Sequence, residues 1–207
     1  MSLTTPLTRN VRDDRRPTDM AAYEANGGYQ GLRAALAQSP EDCLQVLKDS
    51  NLRGRGGAGF PTGMKWSFVP MGDKCSPGHK YLICNADEME PGTFKDRLLL
   101  ECDPHQLIEG MIVSAYTLQA DVAYIFIRAE YHQATRLLQE AIAACHEKGY
   151  LGQDILGTGY QLEMHVHSSA GRYICGEETA LISSLEGKRA NPRAKPPFPQ
   201  VSGLWGR

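Results

Sequence analysis

Three short apolar segments separated by helical segments constrain the fold of this chain more than any other feature. The segments 80–85, 122–128 and 160–167 have the length of β-strands, and the second is rich in Val, Ile, Tyr and Phe. Helices are predicted between and after them, at 94–100, 104–118, 131–148 and 177–185. Strands that alternate with helices are typical of an α/β layer. The sequence therefore predicts a Rossmann-like layered fold with a mainly parallel sheet.

Composition excludes several classes of protein. A chain of 207 residues that is 42% hydrophobic has enough apolar material for one sizeable core. Its 22 cations and 24 acids nearly cancel, which argues against a general nucleic-acid or membrane-surface binder. The six cysteines include no C-x-x-C pair, so we expect reduced thiols and no metal cluster. No apolar run reaches the 18 residues of a membrane-spanning helix.

A glycine-rich loop at 53–65 is the first candidate binding feature. It contains Gly54, Gly56, Gly57, Gly59 and Gly63, together with Arg53, Arg55, Phe60 and Lys65. Glycines interleaved with cations favour close approach of the backbone to a phosphate. The G-x-G-x-x-G spacing is not a dinucleotide fingerprint, because a helix predicted over 41–47 precedes it instead of a strand. The Walker pattern fails too, since Met64 separates Gly63 from Lys65. A flexible linker is the alternative, although Trp66 and Phe68 follow closely.

A polar cluster directly follows the first predicted strand. Asn85, Asp87, Glu88 and Glu90 lie within six residues, ahead of Pro91 and Gly92. Ligands of open α/β sheets bind outside the carboxyl ends of the strands, so these side chains are candidates for binding ribose hydroxyls or ring N–H groups. The alternative is an acidic turn with solvated side chains.

The segment 171–180 combines a glycine with two acids at a predicted helix start. Gly176 is expected to open a helix that begins at Glu177, which would leave free N–H groups facing a ligand. Glu177 and Glu178 have a second interpretation, as acids that compensate the helix dipole. At most one of these two neighbours is expected to face a ligand.

Two further patterns receive structural interpretations. The segment 188–198 has four cations and three prolines, and could bind phosphate or RNA. A rigid connection draped over the domain, with Phe198 in a pocket, is favoured. His165 and His167 share one strand face without a third ligand, which favours ordinary polar side chains over a metal site. No Ser-His-Asp or Cys-His pattern is present, as suits an enzyme whose cofactor carries the chemistry.

The three stretches 52–66, 85–97 and 171–181 together resemble the flavin-bearing subunit of respiratory NADH dehydrogenase (complex I; the 51 kDa, or F, subunit). The likeness runs from about residue 27 to residue 207. It implies an α/β domain in which FMN takes a hydride from NADH, with electrons passing on to iron–sulfur clusters and quinone. Proximity of the two rings would supply most of the rate.

The resemblance also implies residue roles. The residues expected around FMN are Gly54, Arg55, Gly56, Gly57, Lys65, Asn85, Asp87, Glu88, Tyr173, Gly176 and Glu177. Those expected at NADH are Phe60, Phe68, Glu90, Glu178 and Phe198. A carboxylate beside the adenine ribose would repel a 2′-phosphate and so favour NADH over NADPH.

The resemblance divides the chain into an arm at 1–26, an FMN- and NADH-binding domain at 27–190 and an extended Pro-rich segment at 191–207. In the family, an Asn-Asn-Val-Glu-Thr stretch, a ubiquitin-like domain and a 4Fe-4S domain follow. The cluster's cysteine pattern does not occur in this sequence, which looks cut short at Arg207. We therefore expect this chain alone to bind FMN weakly and to be inactive.

Partners and location follow from the same resemblance. The expected partners are a 2Fe-2S thioredoxin-like subunit and a large iron–sulfur subunit of the peripheral arm, at the cytoplasmic face of a bacterial inner membrane. A diaphorase subunit of an NAD-dependent hydrogenase or formate dehydrogenase shares these motifs and stays open as an alternative. So does an inactive fragment that only binds nucleotide or docks to subunits.

Overall fold

The structure is a computed structural model that describes residues 5–55, 57–75 and 77–207. Its helices are α1 (Met20–Ala25), α2 (Gln30–Leu36), α3 (Pro40–Asp49), α4 (Thr62–Trp66), α5 (Lys95–Cys102), α6 (Pro104–Leu118), α7 (His132–Glu147) and α8 (Glu178–Leu185). Its strands are β1 (Tyr81–Ala86), β2 (Val122–Ile127) and β3 (Glu163–Ser168). No described helix combines the length and apolar character needed to cross a membrane.

The three strands form one parallel sheet in the order β1-β2-β3, which confirms the predicted fold class. The register pairs Ala86 with Ile127 and Ile127 with Ser168, so all three strands end at the same level. Polar residues that follow the strands are therefore neighbours. Within the described part of the chain, β1 and β3 each pair only with β2 and form the two edges.

Alternate residues of the sheet belong to two separate cores. Ile125 packs in a cluster that includes Ile108 and Ile112 of α6 and Leu138 of α7. Phe126, its neighbour on the opposite face, packs with the α8 side chains Leu181, Ile182 and Leu185. This period of two is what a strand buried on both faces requires. Helices on both faces place the open carboxyl edge of the sheet between them.

The N-terminal residues pack against the domain. Asn10 is buried and donates to Asp103 Oδ2 at 2.8 Å, and the Thr18 N–H donates to the Cys102 carbonyl at 2.8 Å. Helix α1 was not predicted; Asp19 caps it by accepting from the Ala22 N–H at 2.8 Å. These contacts attach the predicted arm to the junction of α5 and α6.

The C-terminal segment is tied to α8 by its cations. Arg193 contacts Ser183 Oγ at 3.0 Å and Glu186 Oε2 at 2.6 Å, and Lys188 reaches the same carboxylate at 2.7 Å. Lys188 and Arg193 therefore hold this part of the segment against α8, and the rigidity expected of the connection stays a prediction. The prediction that Phe198 fills a pocket is wrong, because this side chain is 49% exposed. The buried apolar side chain near the end of this segment is Leu204, on a terminal 3₁₀ turn, which packs in the core formed with α8.

Helix α4 is held against α3 through Gly63. A Cβ on Gly63 would lie 2.8 Å from the backbone of Lys48. We expect Gly63→Ala to lower the free energy of unfolding by about 2 kcal/mol, because neither helix backbone has room to move independently. Gly110→Ala in α6 is the control, since nothing lies within 4 Å of its added Cβ. Urea unfolding should show Gly110→Ala at least as stable as the parent chain; equal losses in both variants would contradict this packing.

Candidate functional site

The acidic segment after β1 and the segment before α8 meet at the carboxyl edge of the sheet. The Asn85 amide donates to the Gly176 carbonyl at 3.0 Å, and the Tyr173 hydroxyl donates to Glu90 Oε2 at 2.7 Å. Two of the three stretches singled out in the sequence are thus joined directly. Tyr173 stays 64% exposed despite this bond, so its ring is available to a ligand.

One oxygen of the Asp87 carboxyl is a buried acceptor that has no donor among the described residues. Ser169 Oγ donates to Oδ1 at 2.8 Å, whereas Oδ2 is buried and has no partner in the described part of the chain. Burial raises the pKa of the Asp87 carboxyl and Glu130 raises it further, against the lowering effects of Ser169 and Arg128. Buried polar atoms are nearly always hydrogen-bonded, so an unpaired one at a strand end points to a ligand donor.

Glu88 has a different environment although it adjoins Asp87. Its side chain is 2% exposed and accepts from the Asp96 N–H at 3.0 Å, the Arg97 N–H at 3.1 Å and the Tyr131 hydroxyl at 3.0 Å. The carboxylate therefore satisfies the first N–H groups of α5, whose own N-cap residue makes no side-chain cap. Glu88 fixes the strand end to α5 and α7.

Helix α8 begins one residue later than predicted. Gly176 belongs to a 3₁₀ turn, and Glu177 is the N-cap, with its Oε2 accepting from the N–H groups of Thr179 and Ala180 at 2.9 Å each. Burial raises the Glu177 pKa, but hydrogen bonds from Thr179, Ala180 and Lys195 outweigh it and lower the pKa overall. Lys195 also contacts Glu178 at 2.7 Å. One cation therefore bridges both acids at the helix start.

The glycine-rich loop follows helix α3, as the sequence predicted when it argued against a Rossmann turn, and it leads into α4, which was not predicted. Its base is closed by an antiparallel bridge between Arg53 and Pro61, and the Gly54 N–H donates to the Phe60 carbonyl at 2.9 Å. Gly57 has φ +104°, a backbone conformation that residues other than glycine rarely adopt. The described residues at its tip are exposed; Gly56, a predicted FMN contact, lies outside the described residues.

Exposed aromatic rings accompany these polar groups. Phe60, Phe68 and Phe198, the predicted aromatic contacts of NADH, each expose about half of their surface. Arg55 and Lys65 are also exposed on the glycine loop. Exposed rings and cations provide stacking surfaces and phosphate partners, the two components that a nucleotide requires.

A cavity of about 450 Å³ runs along the outer edge of β1. It is lined by five consecutive residues of this strand, 82–86, together with Trp66 and side chains of α5 and α6. Neighbouring strand residues point to opposite faces, so all five share one cavity only along the strand's open backbone edge. Asn85 connects this edge to the polar site.

Some residues of the site were missed in the sequence. Ser169, Tyr131 and Arg128 contact Asp87 or Glu88, from positions 40 to 82 residues away in sequence. The only sequence signal was that Arg128 is the last residue of the predicted strand 122–128 and that Ser169 follows the predicted strand 160–167. Among the described residues no group of His, Cys, Asp and Glu suits a metal ion.

The fold and the strand-end groups are typical of one class of protein, the α/β domains that bind nucleotide-like ligands at the carboxyl edge of a parallel sheet. Comparison with known families specifies it further. Residues 47–204 match the family described as the Nuo51 FMN-binding domain (Complex1_51K), and the chain belongs to this family.

Curated relatives are about twice as long as this chain. A second form of the NADH-quinone oxidoreductase F subunit, from Rhizobium meliloti, is 61% identical over 187 residues, which cover 90% of this chain and 44% of the relative. The corresponding F subunit of Escherichia coli is 56% identical over 205 residues, covering 99% and 46%. A crystal structure of an NAD+-reducing NiFe hydrogenase in the H2-reduced state superposes with a TM-score of 0.75 at 38% identity, covering 93% of this chain and 32% of that one. The chain thus spans less than half of each.

Proposed function

We propose that this chain holds FMN and NADH in one cleft at the carboxyl edge of its sheet, as the flavin-binding part of an NADH dehydrogenase of the complex I type. The observation that carries the proposal is the unpartnered, buried Oδ2 of Asp87 at the end of β1. Membership of an FMN-binding family supports it. When bound, FMN supplies the ring that accepts a hydride from NADH; the chain supplies binding and orientation.

Each residue set has a physical role in this proposal. For FMN, Arg55 and Lys65 meet the phosphate beside the loop glycines, and Asn85 and Asp87 receive polar ring or ribityl groups. Glu88 acts from behind, by fixing the Asp87 segment to α5 and α7. The other FMN contacts proposed are Gly54, Gly56, Gly57, Tyr173, Gly176 and Glu177.

For NADH, we assign stacking to Phe60, Phe68 and Phe198, whose exposed rings suit it. Glu90 and Glu178 would then contact ribose and nicotinamide. Both carboxylates already have partners, Tyr173 and Lys195. Binding of NADH at Glu178 therefore exchanges the Lys195 contact for a ligand contact.

The proposed assembly is inferred from the relatives' names. Both relatives are named as F subunits of an NADH-quinone oxidoreductase, which supports a place in a multi-subunit complex. We propose the 2Fe-2S thioredoxin-like subunit and the large iron–sulfur subunit as its neighbours, at the cytoplasmic face of the inner membrane. A diaphorase role in an NAD-reducing hydrogenase is the second candidate, favoured by the structural superposition. Co-purification with hydrogenase subunits instead of complex I subunits would select it.

The test is an FMN titration of the 207-residue chain followed by flavin fluorescence. We expect saturable but weak quenching, one slow bleaching of the flavin's visible absorbance when NADH is added without oxygen, and no sustained turnover. NADH–ferricyanide reduction with FMN present measures turnover, and activity would reject the inactive-fragment alternative. Absence of saturable quenching at any FMN concentration would reject the proposed site.

Glu90→Gln tests the choice between NADH and NADPH. A carboxylate near the adenine ribose repels a 2′-phosphate, so its loss should increase the rate of flavin bleaching by NADPH about tenfold relative to NADH. Glu140→Gln is the control, because Glu140 lies exposed on α7 beside Arg136. An unchanged NADH-to-NADPH ratio in Glu90→Gln would remove Glu90 from the ribose site.

A further inference from the structure

Ser169 connects the two outer strands across the end of the middle one. It follows β3, is buried, and donates to Asp87 Oδ1 of the β1 end at 2.8 Å. Strands two places apart lie roughly 9.6 Å from each other, which is beyond the reach of Ser and Asp side chains in flat strands. The ends of β1 and β3 therefore approach each other beyond the end of β2, while the Ser169 N–H still donates to the Ile127 carbonyl at 2.8 Å as the next bond of the parallel ladder.

The same hydroxyl also orders the turn that leads into the site. Ser169 Oγ accepts from the Gly171 N–H at 3.2 Å, and Gly171 has φ +70°, which favours glycine. The hydroxyl thus has one donor and one acceptor partner, both within the chain. It has a defined orientation, with its proton directed to Asp87.

We propose that Ser169 is a positioning residue for the flavin site. Its hydroxyl donates a hydrogen bond to Oδ1 of Asp87, and Oδ2 is therefore the one carboxylate oxygen that can accept from an N–H or O–H group of the ligand. This inference rests on the proposed function. Without the serine, both carboxylate oxygens lack a protein donor, and the carboxyl group is free to rotate or to take up a proton.

The charges around Asp87 determine how the carboxyl responds. Arg128 and Glu130 face it from the end of β2, and Cys175 faces it from the 3₁₀ turn before α8, whereas the carboxylate of the adjoining Glu88 is directed to α5 and Tyr131. Ser169 adds a donor that stabilises the ionised carboxyl, and this lowers its pKa against the effect of burial. Loss of the hydroxyl alone should therefore move the titration of Asp87 to higher pH.

The experiment compares Ser169→Ala with Ser168→Ala, its exposed neighbour at the end of β3, and with Ser169→Thr, which keeps a hydroxyl. Carbon-13 NMR of the carboxyl groups, without ligand, follows the titration of Asp87. We expect it to move to higher pH in Ser169→Ala and to stay unchanged in Ser168→Ala. FMN affinity should fall about fivefold in Ser169→Ala and recover in Ser169→Thr.

Three outcomes overturn the proposal: an unchanged Asp87 titration in Ser169→Ala, an equal shift in Ser168→Ala, or unchanged FMN affinity in Ser169→Ala when the parent chain binds FMN. If the parent chain shows no saturable FMN binding while the titration still shifts, the proposed function fails and the positioning of the Asp87 carboxyl by Ser169 stands. If the alanine variant does not fold, Ser169→Cys replaces it: its thiol is a weaker donor than the hydroxyl, so the Asp87 titration should again move to higher pH, and an unchanged titration overturns the proposal.

Discussion

Replacing Glu88 with alanine is expected to lower the free energy of unfolding by about 4 kcal/mol. Three protein donors, the N–H groups of Asp96 and Arg97 and the Tyr131 hydroxyl, would lose a buried, charged acceptor together. The start of α5 would then lack its cap, and the β1 end would lose its attachment to α7. Urea unfolding followed by circular dichroism measures the change.

Glu101→Ala is the matched control for Glu88→Ala. Glu101 lies on α5, the helix whose start Glu88 caps, and it contacts Arg97 at 3.0 Å as an i,i+4 pair near the surface. Such pairs contribute about 0.5 kcal/mol or less. A double-mutant cycle with Tyr131→Phe should show coupling of about 1 kcal/mol between Glu88 and Tyr131. If the free energy of unfolding of Glu88→Ala lies within about 1 kcal/mol of the parent chain's, this carboxylate does not stabilise the junction of β1, α5 and α7.

Asp87→Asn is expected to weaken FMN binding about tenfold without loss of stability, because a charged acceptor is replaced by a neutral amide. Asp103→Asn is the control: Asp103 is also buried, also has one unpartnered oxygen and also has a raised pKa, but lies at the junction of α5 and α6. It should leave FMN affinity unchanged. Equal binding by Asp87→Asn and the parent chain would exclude Asp87 as the acceptor.

The stability of Asp87→Asn should depend on pH in a defined direction. The folded-state pKa of Asp87 is raised above that of the unfolded chain, chiefly by burial. The ionised carboxylate therefore reduces stability, and this loss develops as pH rises from the unfolded pKa through the folded-state pKa. We expect the variant to be the more stable chain at neutral pH, and the difference to vanish below the unfolded pKa of about 4. Thermal unfolding across this range measures it.

Secondary structure was predictable where a capping residue or a proline marked the start of a helix. Pro104 marks the start of α6, and Ser39 marks that of α3, where its hydroxyl accepts from the Asp42 N–H. Helix α4 had no such signal, since it depends on the fit of Gly63 against α3. Strand β3 begins at Glu163 instead of residue 160, because Leu162 pairs in an antiparallel bridge with Gly152.

The position of the site was predictable from the sequence, but the separate roles of its carboxylates were not. Asn85, Asp87, Glu88 and Glu90 followed from the rule that ligands bind at the carboxyl ends of parallel strands. Two distant residues decide which carboxylate can bind a ligand. Tyr131 hydrogen-bonds Glu88 from 43 residues away, and Ser169 hydrogen-bonds only one oxygen of Asp87 from 82 residues away. Only the folded chain brings these partners together, so no local pattern could distinguish Asp87 from Glu88.

The two edges of the sheet differ in how well they are protected against association. Edge strand β3 contains Glu163, His165 and His167, polar groups that discourage another strand from adding. Edge strand β1 has the sequence Tyr-Leu-Ile-Cys-Asn-Ala, with neither charge nor proline, and its backbone borders an open apolar cavity. At high protein concentration β1 is therefore the site where this chain, handled alone, would self-associate and lose solubility. A charge at the outer edge of β1 is the substitution of choice for keeping it in solution.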